Sequence, residues 1–174
     1  MELAKLSDGE IIAIDTSQLA LDRLASKIRK AGLSSRVKVV KCSMCNMNFS
    51  DASFDIIWAE GSINVIGFKN GLKEWRRLIK TGGFLVVHDD LGGLAEKQKQ
   101  ISQCGYELIN HFVLSQDTWW TKYYAPLEKR LNEVRVNHAG GESVGKLNSD
   151  QREIDTFKHD PKRYRSAFFI LRKI

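Results

Sequence analysis

The sequence predicts an α/β fold built on a largely parallel sheet, and three observations carry that expectation. Short apolar runs without polar alternation, such as Ile11, Ile12, Ala13 and Ile14, have the pattern of strands buried on both faces. Other stretches repeat apolar residues at helical spacing, as at Leu72, Trp75, Leu78 and Ile79. The two patterns alternate along most of the chain, the order that builds parallel strands through helical crossovers.

The elements follow in order. Residues 2–6 read as the last turn of a helix, stopped by Ser7-Asp8-Gly9. Residues 11–15 form the first strand, expected to be fully buried and closed by Asp15. Thr16 or Ser17 then caps a helix to about Lys30, with Leu19, Leu21, Leu24, Ala25 and Ile28 as its inward stripe. A second short strand covers 37–40, and a polar loop follows over 41–53. The third strand, 54–59, finishes at Glu60-Gly61-Ser62. An amphipathic helix over 67–80 turns Phe68, Leu72, Trp75, Leu78 and Ile79 inward and Lys73, Glu74, Arg76 and Arg77 outward. Thr81-Gly82-Gly83 stops it, and 84–88 is a fourth strand ending at Asp89-Asp90.

Beyond that point a helix over 94–103 stops at Gly105, and 106–114 alternates as a strand. Helices are expected over 119–137 and 141–157, Pro161 breaks the second, and a strand over 164–172 closes the chain. No internal repeat or low-complexity linker interrupts this order, so residues 1–174 are expected to form one domain.

Composition narrows the function classes. A hydrophobic fraction of 43% and a charged fraction of 28% are those of a globular protein with a real core. No apolar run approaches the roughly 18 residues that span a bilayer, and the start of the chain lacks a signal segment, so a cytoplasmic protein without a membrane span is expected. Cys42 and Cys45 form a CxxC, but no second ligand pair follows it and it sits in a polar loop; the pair and Cys104 read as free thiols. His88, His111, His138 and His159 have no partner at helical spacing, so no metal is expected. Of the net charge of +6, the segment after residue 118 holds most, with 12 Lys and Arg against 7 Asp and Glu. Its signs are interspersed, as on a solvated edge, and nucleic-acid binding through it is the weaker reading.

The residues that carry chemistry lie at strand ends. In open α/β sheets ligands bind beyond the carboxyl ends of the strands, where a carboxylate can accept both hydroxyls of a ribose. Asp15 is such a residue, with Thr16 beside it. Ser43, Met44 and Cys45 lie in the loop after the second strand, placed to meet an adenine edge. Glu60 with Gly61 lets backbone approach a ligand closely. Trp119, Trp120, Tyr123 and Tyr124 crowd one helix start, as a substrate-pocket wall or as plain core. Asp15 could equally be a helix-capping turn residue, and His88-Asp89-Asp90 a strand-end turn.

Together these segments resemble the class I S-adenosylmethionine-dependent methyltransferases of the small-molecule type, the group containing the quinone-biosynthesis C-methyltransferases. The matching stretches are GEIIAIDTS, VVKCSMCNMNFSDASFDIIWAEGSI and LKEWRRLIKTGGFLVVHDD, with GYELINHFVLSQDTWWTKYYAP corresponding to the sixth family strand and its helix. The resemblance implies a Rossmann-like sheet of order 3-2-1-4-5-7-6 with helices on both faces, S-adenosylmethionine as cofactor and a small-molecule methyl acceptor. It assigns the ribose to Asp15, the adenine loop to Ser43, Met44 and Cys45, and further cofactor contacts to Thr16, Glu60 and Gly61. The family loop commonly reads Gly-Ser-Met-Asp-x-Leu-Pro-Phe, so Cys45 replaces the adenine-binding aspartate and Asn48 the proline, which weakens adenine recognition.

The family's first strand and its Gly-x-Gly-x-Gly turn have no counterpart, and no Gly-x-Gly occurs in the chain. The expectation is therefore an N-terminally truncated methyltransferase domain with two exposed sheet edges, open to homo-oligomerisation. Methyl transfer needs mainly alignment, since the sulfonium is already activated; Glu60 is the candidate catalytic carboxylate. The alternative is a non-catalytic α/β binding or scaffold module, dimeric through those edges or bound to nucleic acid through its basic end.

Overall fold

The computed structural model describes residues 2–137 and 144–174, which include two compact units, Met1–Ser50 and Asp51–Ile174. The expected boundary at Gly141, like His138, lies outside the described residues.

The first unit holds α1 (Leu3–Leu6), β1 (Ile11–Asp15), α2 (Gln18–Lys30) and β2 (Val37–Lys41). β1 and β2 pair in parallel, Ile11 opposite Val37 through Asp15 opposite Lys41. Ser17 caps α2 by accepting the Ala20 amide at 3.3 Å, an arrangement worth about 1 kcal/mol. Arg36 ties the start of the unit together, its guanidinium donating to the Ala4 carbonyl at 2.8 Å and the Ser7 carbonyl at 2.7 Å. Ala4, Ile28 and Val37 make the small core, with Ile11, Leu24, Leu33 and Val39 packed on it.

Two expectations fail in this unit. β1 is not fully buried: Ile12 is 37% exposed, because β1 hydrogen-bonds to β2 alone. Leu19 is not part of the inward stripe of α2; it is 60% exposed, while Leu21 and Ile28 are buried. Leu19 stands two positions from Leu21, on the opposite side of a 3.6-residue turn.

The second unit is a four-stranded sheet of order β3-β4-β6-β5. Its strands are β3 (Phe54–Glu60), β4 (Ile79–Asp90), β5 (Tyr106–Leu114) and β6 (Ser166–Lys173). β3 and β4 are parallel, and β6 runs antiparallel to both of its neighbours. The helices are α3 (Ile63–Ile66), α4 (Phe68–Arg76), α5 (Leu94–Gln103), α6 (Gln116–Trp119), α7 (Ala125–Asn137) and α8 (Val144–His159). A π-helical stretch, Trp120–Tyr124, joins α6 to α7. The pairings found in the two sheets, β2-β1 and β3-β4-β6-β5, are the neighbours 3-2 and 4-5-7-6 of the order that the resemblance implied.

The central strands carry the core. Leu85, Val87, Phe169 and Leu171 are fully buried together with Ile63, Leu72, Ile79, Ile101 and Tyr106. β3 is an edge strand, with Ile56 and Trp58 exposed. The amphipathic helix is shorter than expected: α4 ends at Arg76, and Ile79 already pairs with Phe54. The register then jumps so that Ile56 meets Phe84, and Thr81-Gly82-Gly83 form an irregularity inside β4 where a turn was expected. A second cluster, Tyr124, Leu131, Ile154 and Phe157, packs α7 and α8 with the π-helical stretch. No helix among the described residues is long and apolar enough to cross a membrane.

Candidate functional site

Two carboxyl edges, one in each unit, hold the residues singled out from the sequence. In the first unit the Asp15 carbonyl accepts the Cys42 amide at 3.0 Å, which seats the loop after β2 beside the end of β1. Asp15 Oδ1 accepts the Ser17 amide at 2.8 Å, so the carboxylate is oriented by the turn that starts α2. The side chain of Asp15 is otherwise exposed, as is Thr16. In the loop, Ser43 Oγ accepts the Cys45 amide at 3.2 Å and the Ser43 carbonyl accepts the Asn46 amide at 3.1 Å, a tight polar turn. The Cys42 thiol donates inside the same turn, to the Ser43 carbonyl at 3.4 Å, and Met44 is half-buried. Asp15, Thr16, Ser43, Met44 and Cys45 are thus brought to one edge.

In the second unit Glu60 stands opposite His88 in the β3–β4 register, His88 opposite Phe168, and Phe168 opposite Phe112. Residues in register share a face of the sheet, so these four form one row across it. Glu60 is exposed; Gly61 beyond it takes φ +63°, a left-handed conformation that favours glycine. A Cβ on Gly61 would meet no atom of the described chain within 4 Å, so within the fold it is the turn's φ that calls for glycine.

His88 is 7% exposed. Its Nε2 lies 2.9 Å from Ser166 Oγ, and the Trp119 indole donates to the same oxygen at 3.1 Å. The imidazole packs 4.8 Å from the Phe168 ring and 5.6 Å from the Trp119 ring. Its Nδ1 is buried without a hydrogen-bond partner. Burial lowers the His88 pKa below the ordinary imidazole value, against the opposing pull of Glu60 and Asp89. Asp89 beside it is paired with Lys97 at 2.7 Å.

The aromatic group divides. Trp119 reaches His88 and Ser166, whereas Trp120 stacks on Phe157 at 6.2 Å and lies under Lys158, within the helical cluster. Tyr123 is 45% exposed and touches Trp119 edge-on at 6.0 Å. Adjacent helical residues point about 100° apart, which sends the two indoles to different neighbours. An open cavity of about 280 Å³, lined by Val113–Asp117 and Arg165, lies at the same carboxyl edge, where Leu114 pairs with Ser166.

The His88–Ser166–Trp119 group joins residues far apart in the chain and has no local sequence signature. Ser166 is a polar residue just before an apolar run, which local patterning reads as a strand start.

Comparisons with known proteins bear on the family and the fold. A sterol 24-C-methyltransferase of Gibberella zeae is 29% identical over 164 residues, 78% of this chain and 43% of that protein. A demethylmenaquinone methyltransferase of Bacteroides fragilis is 32% identical over 84 residues, 48% of this chain and 34% of that protein. The chain spans less than half the length of these curated relatives. Among solved structures, the [4+2]-cyclase SpnF superposes with a TM-score of 0.79 at 18% identity, over 99% of this chain and 68% of that one. An S-adenosylmethionine-dependent methyltransferase of Thiobacillus denitrificans in complex with S-adenosylhomocysteine gives 0.75 at 15% identity, over 98% and 78%. Residues 1–87, half of the chain, match the methyltransferase domain family, and the chain belongs to that family.

Proposed function

We propose that the protein is an S-adenosylmethionine-dependent methyltransferase acting on a small-molecule acceptor, its 174 residues forming one methyltransferase domain. The observation that carries this reading is the edge of the first unit. There an exposed carboxylate, Asp15, is fixed by the Ser17 amide through one oxygen beside a polar loop ordered by Ser43. These residues fit an adenosine. Asp15 is placed to accept ribose hydroxyls with Thr16 adjacent, and Ser43, Met44 and Cys45 border the adenine. Bound there, the cofactor supplies an activated methyl group.

In the second unit Glu60 and Gly61 are further candidates for the cofactor, and Trp119, Trp120 and Tyr123 are assigned to the acceptor side. Trp119 is the best supported of the aromatics through its contact with His88, and Trp120 the least, since it is engaged in the helical core. Glu60 remains the candidate carboxylate for taking a proton from the acceptor. Three free thiols, Cys42, Cys45 and Cys104, support a reducing, cytoplasmic setting.

Calorimetric titration with S-adenosylhomocysteine tests the cofactor assignment. Saturable binding that Asp15→Asn weakens supports it; no heat and no thermal stabilisation overturns it.

A second reading has its own observation. Ile56 and Trp58 on edge strand β3 are 57% and 43% exposed, which favours self-association through that strand. Sedimentation showing only monomer at high concentration would remove it.

A further inference from the structure

The hydrogen-bond arithmetic around Ser166 fixes the proton on His88. A serine hydroxyl has one hydrogen to donate and two lone pairs to accept with. The Trp119 indole N–H can only donate, so it occupies one lone pair of Ser166 Oγ. If Ser166 gives its hydrogen to His88 Nε2, the hydroxyl is satisfied and the ring proton sits on Nδ1. In the opposite arrangement Nε2–H donates to Ser166. The serine hydrogen then has no acceptor, and the Nδ1 lone pair is also left over. The first arrangement leaves one buried polar group unpaired and the second leaves two. A buried polar group left unpaired keeps its full desolvation penalty, so the first is favoured.

The orphan is therefore a buried N–H donor on an uncharged imidazole. Its surroundings have a chemistry of their own. Phe168 packs on the imidazole, Phe112 stacks on Phe168 at 5.1 Å, and Trp58 meets Phe168 at 5.5 Å. Phe112 and Trp58 are 45% and 43% exposed, so this aromatic surface is open to a ligand. On the β3 side the residue in register with His88 is Glu60, whose side chain is exposed.

We propose that His88 binds the methyl acceptor by donating Nδ1–H to one of its oxygens, on an aromatic floor of Trp58, Phe168 and Phe112. The ligand class this selects is a flat apolar molecule carrying a carbonyl, carboxylate or phenolate oxygen. Ser166 acts as a positioning residue: held by the Trp119 indole, it fixes the tautomer through its hydroxyl. The assignment deepens the methyltransferase reading and rests on it for the identity of the ligand as methyl acceptor.

Two measurements on the full chain test it. Nitrogen NMR of the histidines above neutral pH is expected to show His88 with Nδ1 protonated and Nε2 bare; the reverse tautomer overturns the proposal. The second compares two probes of like shape, 2-acetylnaphthalene, which carries a carbonyl oxygen, and 2-ethylnaphthalene, which does not. Binding is followed by quenching of tryptophan fluorescence. The wild type is expected to prefer the ketone by about three- to tenfold, the value of one hydrogen bond. His88→Asn, whose amide nitrogen falls near Nδ1, keeps the preference, and His88→Gln and His88→Phe lose it. No binding of either probe, no preference in the wild type, or the same preference in all four proteins overturns the proposal.

S-adenosylhomocysteine titration of the same proteins separates this from the cofactor reading. Unchanged cofactor binding in variants that lose the preference supports the assignment. A wild type that prefers the ketone but binds no S-adenosylhomocysteine keeps His88 as an oxygen donor and overturns the cofactor reading alone.

Discussion

Lys97 reaches back from α5 to Asp89 at the end of β4, with Nζ 2.7 Å from Oδ2 and both side chains about nine-tenths buried. The same ammonium donates to the Asp90 carbonyl at 2.5 Å and lies 5.3 Å from the centre of the Phe68 ring. One lysine thus fixes the end of the strand that presents His88. Removing one partner of a buried pair strands the other charge, so Lys97→Met is expected to destabilise the fold by about 3 kcal/mol. Asp89→Asn combined with Lys97→Met removes both charges and is expected to recover much of that loss. Urea denaturation of the single and double variants checks the difference; equal losses would show that the pair does not hold the strand end.

Gly83 makes the prediction on backbone packing. A Cβ there would come within 2.8 Å of the Asp55 carbonyl oxygen and of Ile79 Cγ2, and 3.0 Å from the Lys80 carbonyl oxygen. Two of those contacts are backbone, which cannot swing aside. Gly83→Ala is expected to cost about 1–3 kcal/mol by overpacking the irregularity between β3 and β4. The thermal midpoint reads this directly. Gly61→Ala at the neighbouring strand end meets no atom and incurs only the strain of φ +63°.

These two sites show what the sequence could and could not reveal. Local pattern was enough for β1, β5 and α5, whose observed bounds, Ile11–Asp15, Tyr106–Leu114 and Leu94–Gln103, match the expected ones. It narrowed the cap of α2 to Thr16 or Ser17, and the structure gives it to Ser17. It failed where a distant partner decides. Gly82-Gly83 reads as a turn, but pairing with β3 draws Ile79 and Lys80 into the strand. The His88–Ser166 contact spans 78 residues and the Trp119–Ser166 contact 47, beyond any periodicity. Trp119 and Trp120 look alike in sequence and do different things in space, because Ser166 and Phe157, their partners, are distant along the chain.

The depressed pKa of His88 fixes the sign of one pH dependence. The unfolded chain takes up a proton near the ordinary imidazole value of 6.5, whereas the folded protein resists doing so because burial disfavours the cation. Between those two pKa values the unfolded state binds more protons, so stability rises with pH. The contribution of His88 is complete above about pH 6.5 and is lost as pH falls toward the lowered folded-state pKa. Denaturation midpoints between pH 7.5 and 5 should fall in the wild type and fall less in His88→Asn. The neighbouring acids, Glu60 and Asp89, oppose the shift and remain in both proteins, which isolates the imidazole. Parallel curves for the two proteins would remove His88 as the source.

Asp15 carries the prediction that bears most directly on the cofactor. One oxygen already accepts the Ser17 amide at 2.8 Å, so the residue orders the start of α2 whether or not a ligand is present. An asparagine keeps that acceptor through its carbonyl oxygen and loses the negative charge. It also replaces the second oxygen with a donor, which faces a ribose hydroxyl with the wrong polarity. Asp15→Asn should therefore leave the helix content and the thermal midpoint near the wild type. Binding of S-adenosylhomocysteine should weaken by about ten- to a hundredfold, the span for hydrogen bonds to a charged group. Asp15→Ala loses the turn bond too, and is expected to add a stability loss of about 1 kcal/mol to the same loss of affinity. Calorimetry and thermal melting on the pair of variants separate the two roles. If Asn and Ala lose stability alike while affinity stays unchanged, Asp15 is a helix-start residue and the ribose assignment falls.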